Sequence, residues 1–333
     1  MKPFAYLRAG SAAEAVAAFA SRSDAQYLAG GTNLVDLMRL GVATPGLLID
    51  VGRLPMDRID GTPAGGLLIG ATVRNSDLAA HPVVRSRYTA LSQSVLSGAS
   101  GQLRNTATTG GNLLQRTRCT YFQDITKPCN KRTPGTGCPA LNGVHRDLAV
   151  LGHSEHCVAT HPSDMAVALA ALDATVHVHA ATGERTVPVR DLYRLPGDRA
   201  DLDTGLRPGD LITGVELPPV PAGVRSAYRK ARDRASYAFA LVSVAAVLDV
   251  RDGRVRHAAL AFGGLAHRPW RADAAEDALT GAPATRASYV QAADAALEGA
   301  VPLRDNGFKV PLARNLAVDV LTRLATTEGE GPS

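Results

Sequence analysis

Four cysteines, Cys119, Cys129, Cys138 and Cys157, are the only ones in the chain, and all fall in one stretch. Thiolates are soft ligands for iron and zinc, so clustered cysteines point to a metal centre rather than to scattered structural thiols. Pro128 precedes one of them and Pro139 follows another, as prolines often do beside iron–sulfur ligands. Structural zinc is usually built from tight Cys-x₂₋₄-Cys knuckles, and this spacing has none, which favours a [4Fe–4S] cluster on all four sulfurs. His145, His153, His156 and His161 lie nearby and leave a mixed Cys/His zinc site open. Free thiols or disulfides, with three ways to pair four cysteines, also stay open.

A second chemistry is written in glycines. Ala29-Gly30-Gly31-Thr32-Asn33-Leu34 follows a short strand and opens a helix, and Thr108-Thr109-Gly110-Gly111-Asn112-Leu113 repeats the design. Adjacent glycines let the backbone approach a ligand and turn several N–H groups into one concavity, which suits a pyrophosphate. One such loop alone also reads as a tight turn, and Thr109 and Asn112 as turn caps. Two in one domain fit an extended dinucleotide gripped from both sides.

The elements that must position these loops alternate in the first half. Helices are predicted over Ala12 to Ala20, with Ser11 and Glu14 as a capping box, over Leu34 to Leu40, from Asn75 through His81, over Val84 to Gly98 and over Ser163 to Ala171. Strands are predicted at Gln26 to Ala29, Leu47 to Val51, Gly66 to Ile69, Thr175 to His179, Val187 to Val189 and Leu211 to Leu217. Residues 115 to 157 show little periodicity, and a segment of that length without regular structure signals function or disorder. Pro218-Pro219-Val220-Pro221 marks a boundary. Beyond it, Ser226 to Lys230, Leu241 to Arg251 and Val255 to Gly263 read as a three-stranded antiparallel sheet, with Asp252-Gly253 as a hairpin turn. Helices follow over Ala272 to Leu279, Ser288 to Leu297 and Asn306 to Ala325.

Composition narrows the class. With 45% hydrophobic and 20% charged residues the chain can fill a core, so disorder is excluded as the dominant state. Apolar runs such as Ala238 to Val250 stop short of a membrane span, so no membrane insertion is expected. The net charge of +5 comes from scattered arginines without a basic run, so nucleic acid is not expected as a partner. The start, Met1-Lys2-Pro3-Phe4-Ala5-Tyr6, shows no apolar signal core behind a basic start, which predicts a cytoplasmic location, or a periplasmic one by co-export with a signal-bearing partner. His177 and His179 share a strand face and read as surface residues, and no hydrolase nucleophile stands out.

The stretch Gly101-Gln102-Leu103-Arg104-Asn105-Thr106-Ala107-Thr108-Thr109-Gly110-Gly111-Asn112-Leu113 resembles the second flavin motif of the molybdenum hydroxylase family, which includes xanthine dehydrogenase, carbon monoxide dehydrogenase and aldehyde oxidoreductases. Ala29 to Leu34 resembles its first flavin motif. Leu68 to Val73 and His161 to Ala166 fall in family order, and Arg229-Lys230-Ala231-Arg232 resembles the stretch that opens the family's C-terminal flavin-subunit domain. The resemblance runs over residues 3 to 325. Most such subunits lack a cysteine insertion. That departure is similar to the flavin subunit of periplasmic-type aldehyde oxidoreductases, with an additional [4Fe–4S] cluster, and benzoyl-CoA-type reductases have a comparable insertion.

The resemblance implies an α+β fold: a two-lobed FAD-binding domain of the vanillyl-alcohol-oxidase type over 1–55 and 56–221, with the iron–sulfur insertion at 115–157, then a smaller α/β domain over 222–333. It implies FAD held by Ala29, Gly30, Gly31, Thr32, Asn33 and Leu34 from the first lobe and by Thr108, Thr109, Gly111 and Asn112 from the second. Gly70, Ala71 and Ile212 would lie at the flavin, Asp164 would accept from a sugar or ribityl hydroxyl, and Lys230 would place a cation near the pyrimidine end of the ring. Asp164 also suits a helix cap, Lys230 a solvated strand position, and Gly70 and Ala71 a plain strand end. No catalytic residue beyond the flavin is expected on this chain. The implied activity is electron transfer within an aldehyde oxidoreductase or xanthine dehydrogenase-type complex, from a [2Fe–2S] ferredoxin-like subunit to an external acceptor. A molybdopterin-binding partner would oxidise the substrate, in a heterotrimer or a dimer of trimers. The alternatives are the flavin subunit of a benzoyl-CoA-type reductase, a stand-alone FAD-dependent oxidase, and a zinc-stabilised interaction protein.

Overall fold

The computed structural model describes residues 1–326; residues 327–333 of the expected C-terminal segment lie outside the described residues. Three sheets carry the fold. The first is parallel, with Leu47–Asp50 between Ala5–Arg8 and Ala25–Leu28. Parallel neighbours need crossovers, and the helices Ala12–Ala20 and Leu34–Arg39 supply them. Ser11 Oγ accepts from Glu14 N at 3.1 Å, while Glu14 reaches back to Gly10 N at 2.7 Å. The capping box therefore closes one residue earlier than the pattern predicts.

The second sheet is antiparallel, in the order Ile59–Gly61, Leu67–Gly70, Leu211–Leu217, Thr175–Ala180, Gly183–Pro188. Its inner face packs on the helices Thr89–Ser97 and Asp164–Ala171. The third sheet runs Trp270–Arg271, Arg254–Gly263, Val242–Arg251, Arg225–Ala231. It has four strands where the sequence reading expected three. Trp270–Arg271 is too short to show alternation, and pairing with Ala261 and Phe262 alone makes it a strand. Asp252 at φ 52° and Gly253 at φ 69° form the hairpin turn that the dipeptide predicts.

Strand Val242–Arg251 joins the two halves, because both its faces are buried. Ala245 and Val247 point into the core shared with helix Asp164–Ala171, while Val244, Ala246 and Leu248 pack with the helices Arg286–Leu297 and Lys309–Thr326. Period-2 alternation with both faces apolar explains the unbroken apolar run in the sequence.

Other expectations are corrected. The helix expected over Val84 to Gly98 is two helices, Pro82–Arg87 and Thr89–Ser97, separated at Tyr88 by its φ of −119° and ψ of 49°. Tyr88 is fully buried and donates to Pro218 O at 2.8 Å, so a tertiary anchor sets the break. Asn75 is the first residue of its helix rather than the cap, and Arg74 holds the cap position without a side-chain bond. Strands Ala5–Arg8 and Ile59–Gly61 lack a sequence signal because each lies at a sheet edge. The stretch from 115 to 157 holds two single helical turns, Thr120–Gln123 and Pro139–Asn142, and an isolated bridge between Ser154 and Cys157; the rest is loop and turn.

Candidate functional site

A cleft of about 540 Å³ is lined from both N-terminal sheets. Ala29, Gly30, Gly31, Thr32, Asn33 and Leu34 form one wall, and Ala71, Thr108, Gly111 and Ile212 the other. The two glycine loops touch behind it. A Cβ on Gly30 would stand 2.1 Å from the Thr106 carbonyl oxygen, so only glycine permits that approach. Gly31 sits at φ +72°, a region that side chains disfavour. Thr108 caps the short helix Thr109–Leu113, its Oγ1 accepting from Gly111 N at 3.3 Å.

The cleft offers unused donors. Asn33 Oδ1 accepts from Arg116 N at 3.0 Å, but its Nδ2 is buried without a partner. A buried amide left unpaired costs free energy, so a ligand acceptor is the natural complement. Arg116, Lys131 and Arg132 also line the cleft against two carboxylates, Asp24 and Asp210, so basic groups exceed acidic ones by one, which suits an anionic ligand. These features fit the diphosphate of a dinucleotide. Sequence reasoning passed over Arg116 and Lys131. Lysine is scarce here, with Lys131 one of only five, and that scarcity was the signal available.

Five expected site residues do not line the cleft: Gly70, Thr109, Asn112, Asp164 and Lys230. Thr109 gives both its N–H and its hydroxyl to Val73 O, at 2.9 and 3.2 Å. Gly70 N donates to Arg58 O at 2.9 Å. Asn112 Oδ1 accepts from Ser163 Oγ at 2.6 Å, and Ser163, not Asp164, caps the helix Asp164–Ala171. With the cap supplied by Ser163, the Asp164 carboxylate accepts from Lys230 Nζ at 2.7 Å and from the Tyr228 hydroxyl at 2.6 Å. Burial, reinforced by Asp164, pushes the Tyr228 hydroxyl far up, so it stays a donor. Adjacent residues at the start of this helix thus face two ways, Ser163 to the second glycine loop and Asp164 to Lys230.

The four cysteines are free thiols brought together by the irregular segment. Cys119 is central, packing in apolar clusters with Cys129, with Cys138 and with Cys157. Burial pushes the Cys119 and Cys138 thiols up and the Cys157 thiol to about 12. Nearby thiols add to each shift, while neighbouring backbone N–H groups oppose it. Among the described residues no group of three or more His, Cys, Asp or Glu is arranged around a single ion. Four ligands on one zinc stand close around it at ~2.3 Å, whereas an iron–sulfur cube spreads its thiolates over its corners.

The histidines nearby have other roles. His145 Nε2 contacts Leu141 O at 3.0 Å, His153 Nε2 contacts Val301 O at 2.9 Å, and His156 stands beside Glu155. The His161 ring packs on Tyr193 at 4.4 Å between centroids. His267, which sequence reasoning missed, places Nε2 3.1 Å from Cys157 Sγ. On the surface, His177 contacts Glu216 at 2.9 Å.

Residues 2–220 match the family described as FAD binding domain in molybdopterin dehydrogenase, and residues 226–327 that described as CO dehydrogenase flavoprotein C-terminal domain. The chain is 52% identical to the aldehyde oxidoreductase FAD-binding subunit PaoB of Escherichia coli, over 96% of this chain and 98% of that protein. It is 27% identical to the glyceraldehyde dehydrogenase medium chain of Sulfolobus acidocaldarius, over 84% of this chain and 81% of that protein. Among solved structures, carbon monoxide dehydrogenase from Hydrogenophaga pseudoflava superposes with a TM-score of 0.76 at 26% identity, covering 96% of each chain.

Proposed function

The chain belongs to the FAD-binding subunits of the molybdenum hydroxylase family, and on that premise we propose that it holds FAD and a [4Fe–4S] cluster and relays electrons from a [2Fe–2S] partner chain to an external acceptor, while an aldehyde is oxidised on a molybdenum-bearing partner. The observation that carries the FAD reading is the cleft between the two glycine loops, with the unpaired Asn33 Nδ2 and a cationic lining. The high identity to an aldehyde oxidoreductase subunit supports an aldehyde as substrate of the complex. The four clustered thiols support the iron–sulfur reading.

Bound FAD exchanges one or two electrons and a [4Fe–4S] cluster exchanges one, which is the chemistry these groups bring. The protein's own residues bind and orient. Gly30 lets the first glycine loop pack directly on the second, and Gly31, Thr32, Asn33 and Gly111 line the cleft, where Asn33 and Thr32 would offer donors to phosphate oxygens. Cys119, Cys129, Cys138 and Cys157 would ligate the cluster. Asp164 and the Ser97 carbonyl hold the Lys230 ammonium between the C-terminal sheet and the helices Thr89–Ser97 and Asp164–Ala171, so the cation is kept from solvent. Denaturing the purified complex and analysing the supernatant tests the reading. It predicts one FAD released per copy of this chain, and a complex without flavin absorbance overturns it.

A further inference from the structure

Lys131 lies between the cleft and the cysteines. It lines the cleft, yet its side chain is only 2% exposed. Nζ donates to Asp203 Oδ1 at 2.5 Å and to Ala200 O at 2.9 Å. Ala200 itself packs with Cys157 and Cys119, so the ammonium is anchored to the wall of the cysteine pocket. The other Asp203 oxygen meets Arg116 Nε, and Arg116 lines the same cleft. Two cations therefore share one carboxylate, leaving a net positive charge between the two proposed cofactor sites. The next residue back, Asn130, locks the loop, donating to His156 O at 3.0 Å and accepting from Gly137 N at 2.7 Å.

A buried ammonium without a structural acceptor network would be expelled or neutralised, so the arrangement is built to keep a charge in place. The Ala200 carbonyl that holds the ammonium belongs to the residue packed with Cys157 and Cys119, so the charge stands beside the cysteine pocket. One-electron reduction of an iron–sulfur cluster adds a negative charge, and a fixed cation within a poorly screened interior stabilises that added charge.

We propose that Lys131, clamped by Asp203 and the Ala200 carbonyl, is the residue that sets the reduction potential of the group held by the four cysteines, with Asp203 a positioning residue that also partly offsets its charge. This rests on the iron–sulfur reading above. The test is potentiometric titration of the cluster's spectroscopic signal in the intact complex, with iron and sulfide content measured on the same samples.

Lys131→Gln removes a positive charge and is expected to shift the potential to more negative values. Asp203→Asn removes a negative charge and is expected to shift it to more positive values, and Lys131→Arg to leave it near the wild type. Opposite shifts from neighbouring substitutions are something that general loosening of the loop does not produce. If Lys131→Gln fails to load the cluster, Asp203→Asn alone decides by the sign of its shift. Loaded complexes whose potentials stay put, or move together in both variants, overturn the proposal. A wild-type complex in which these cysteines carry no iron overturns the iron–sulfur reading itself, a different and distinguishable result.

Discussion

Lys230 Nζ stands 2.7 Å from Asp164 Oδ2, tying a strand of the C-terminal sheet to the helix that follows the cysteine segment. Both side chains are nearly fully buried, at 3% and 9% exposure. Breaking such a pair from one side leaves an uncompensated charge, which costs about 3–5 kcal/mol, whereas replacing both partners by apolar groups is often close to neutral. Lys230→Met should therefore lower the thermal midpoint strongly. Lys230→Met combined with Asp164→Leu should recover most of the loss, less what the stranded Tyr228 hydroxyl costs. Thermal unfolding of the two variants checks both statements.

Gly30→Ala should push the glycine loops apart, because the new methyl would meet the Thr106 carbonyl at 2.1 Å. Backbone overpacking costs about 1–3 kcal/mol, and at the site of ligand contact that is about a tenfold or greater weakening of FAD binding. Fluorescence recovery on FAD dissociation reads the effect, and unchanged affinity would remove the close approach from the account.

Asn33→Ala should remove the buried Nδ2 donor that has no partner within the protein, and with it a hydrogen bond to the ligand worth about 1 kcal/mol. Asn33→Asp should weaken binding further, because a carboxylate repels a phosphate. FAD titration of the stripped protein ranks wild type, Ala and Asp in that order.

His161 should make the protein less stable in mild acid. Its ring nitrogen Nε2 is buried against Tyr193, and burial lowers its pKa from 6.5 to about 4. The unfolded chain takes up the proton first, so this group's contribution is fully favourable above pH 6.5 and is lost as pH falls towards 4. The window holds up to about 3 kcal/mol, less in proportion to the ring's partial exposure. His161→Phe should flatten the pH dependence over that interval, measured as the difference in unfolding midpoint between variant and wild type.

Local chemistry was legible in the sequence. Ser11 and Glu14 marked a helix start to within a residue, and Asp252-Gly253 marked a turn because both residues must take positive φ. The two glycine loops were recognisable by their paired glycines, and the four cysteines by their confinement to one segment. What escaped was fixed by partners far along the chain. Tyr88 breaks a helix because its hydroxyl is held by Pro218 O, and Trp270 is in a strand only because Phe262 pairs with it. Lys131 and Arg116 become a charge pair through Asp203, which no local pattern connects to either. Asp164 and Lys230 were each visible as chemically pointed residues, but their pairing, and their placement off the cleft lining, is a tertiary fact.

The most direct test compares iron, acid-labile sulfide and FAD in the wild-type complex with those in a Cys129→Ser complex. Any [2Fe–2S] centres on partner chains contribute equally to both and cancel. The variant should lack about four iron and four sulfide per copy of this chain, lose the matching broad absorbance and keep its FAD. Equal iron and sulfide in the two complexes would contradict it.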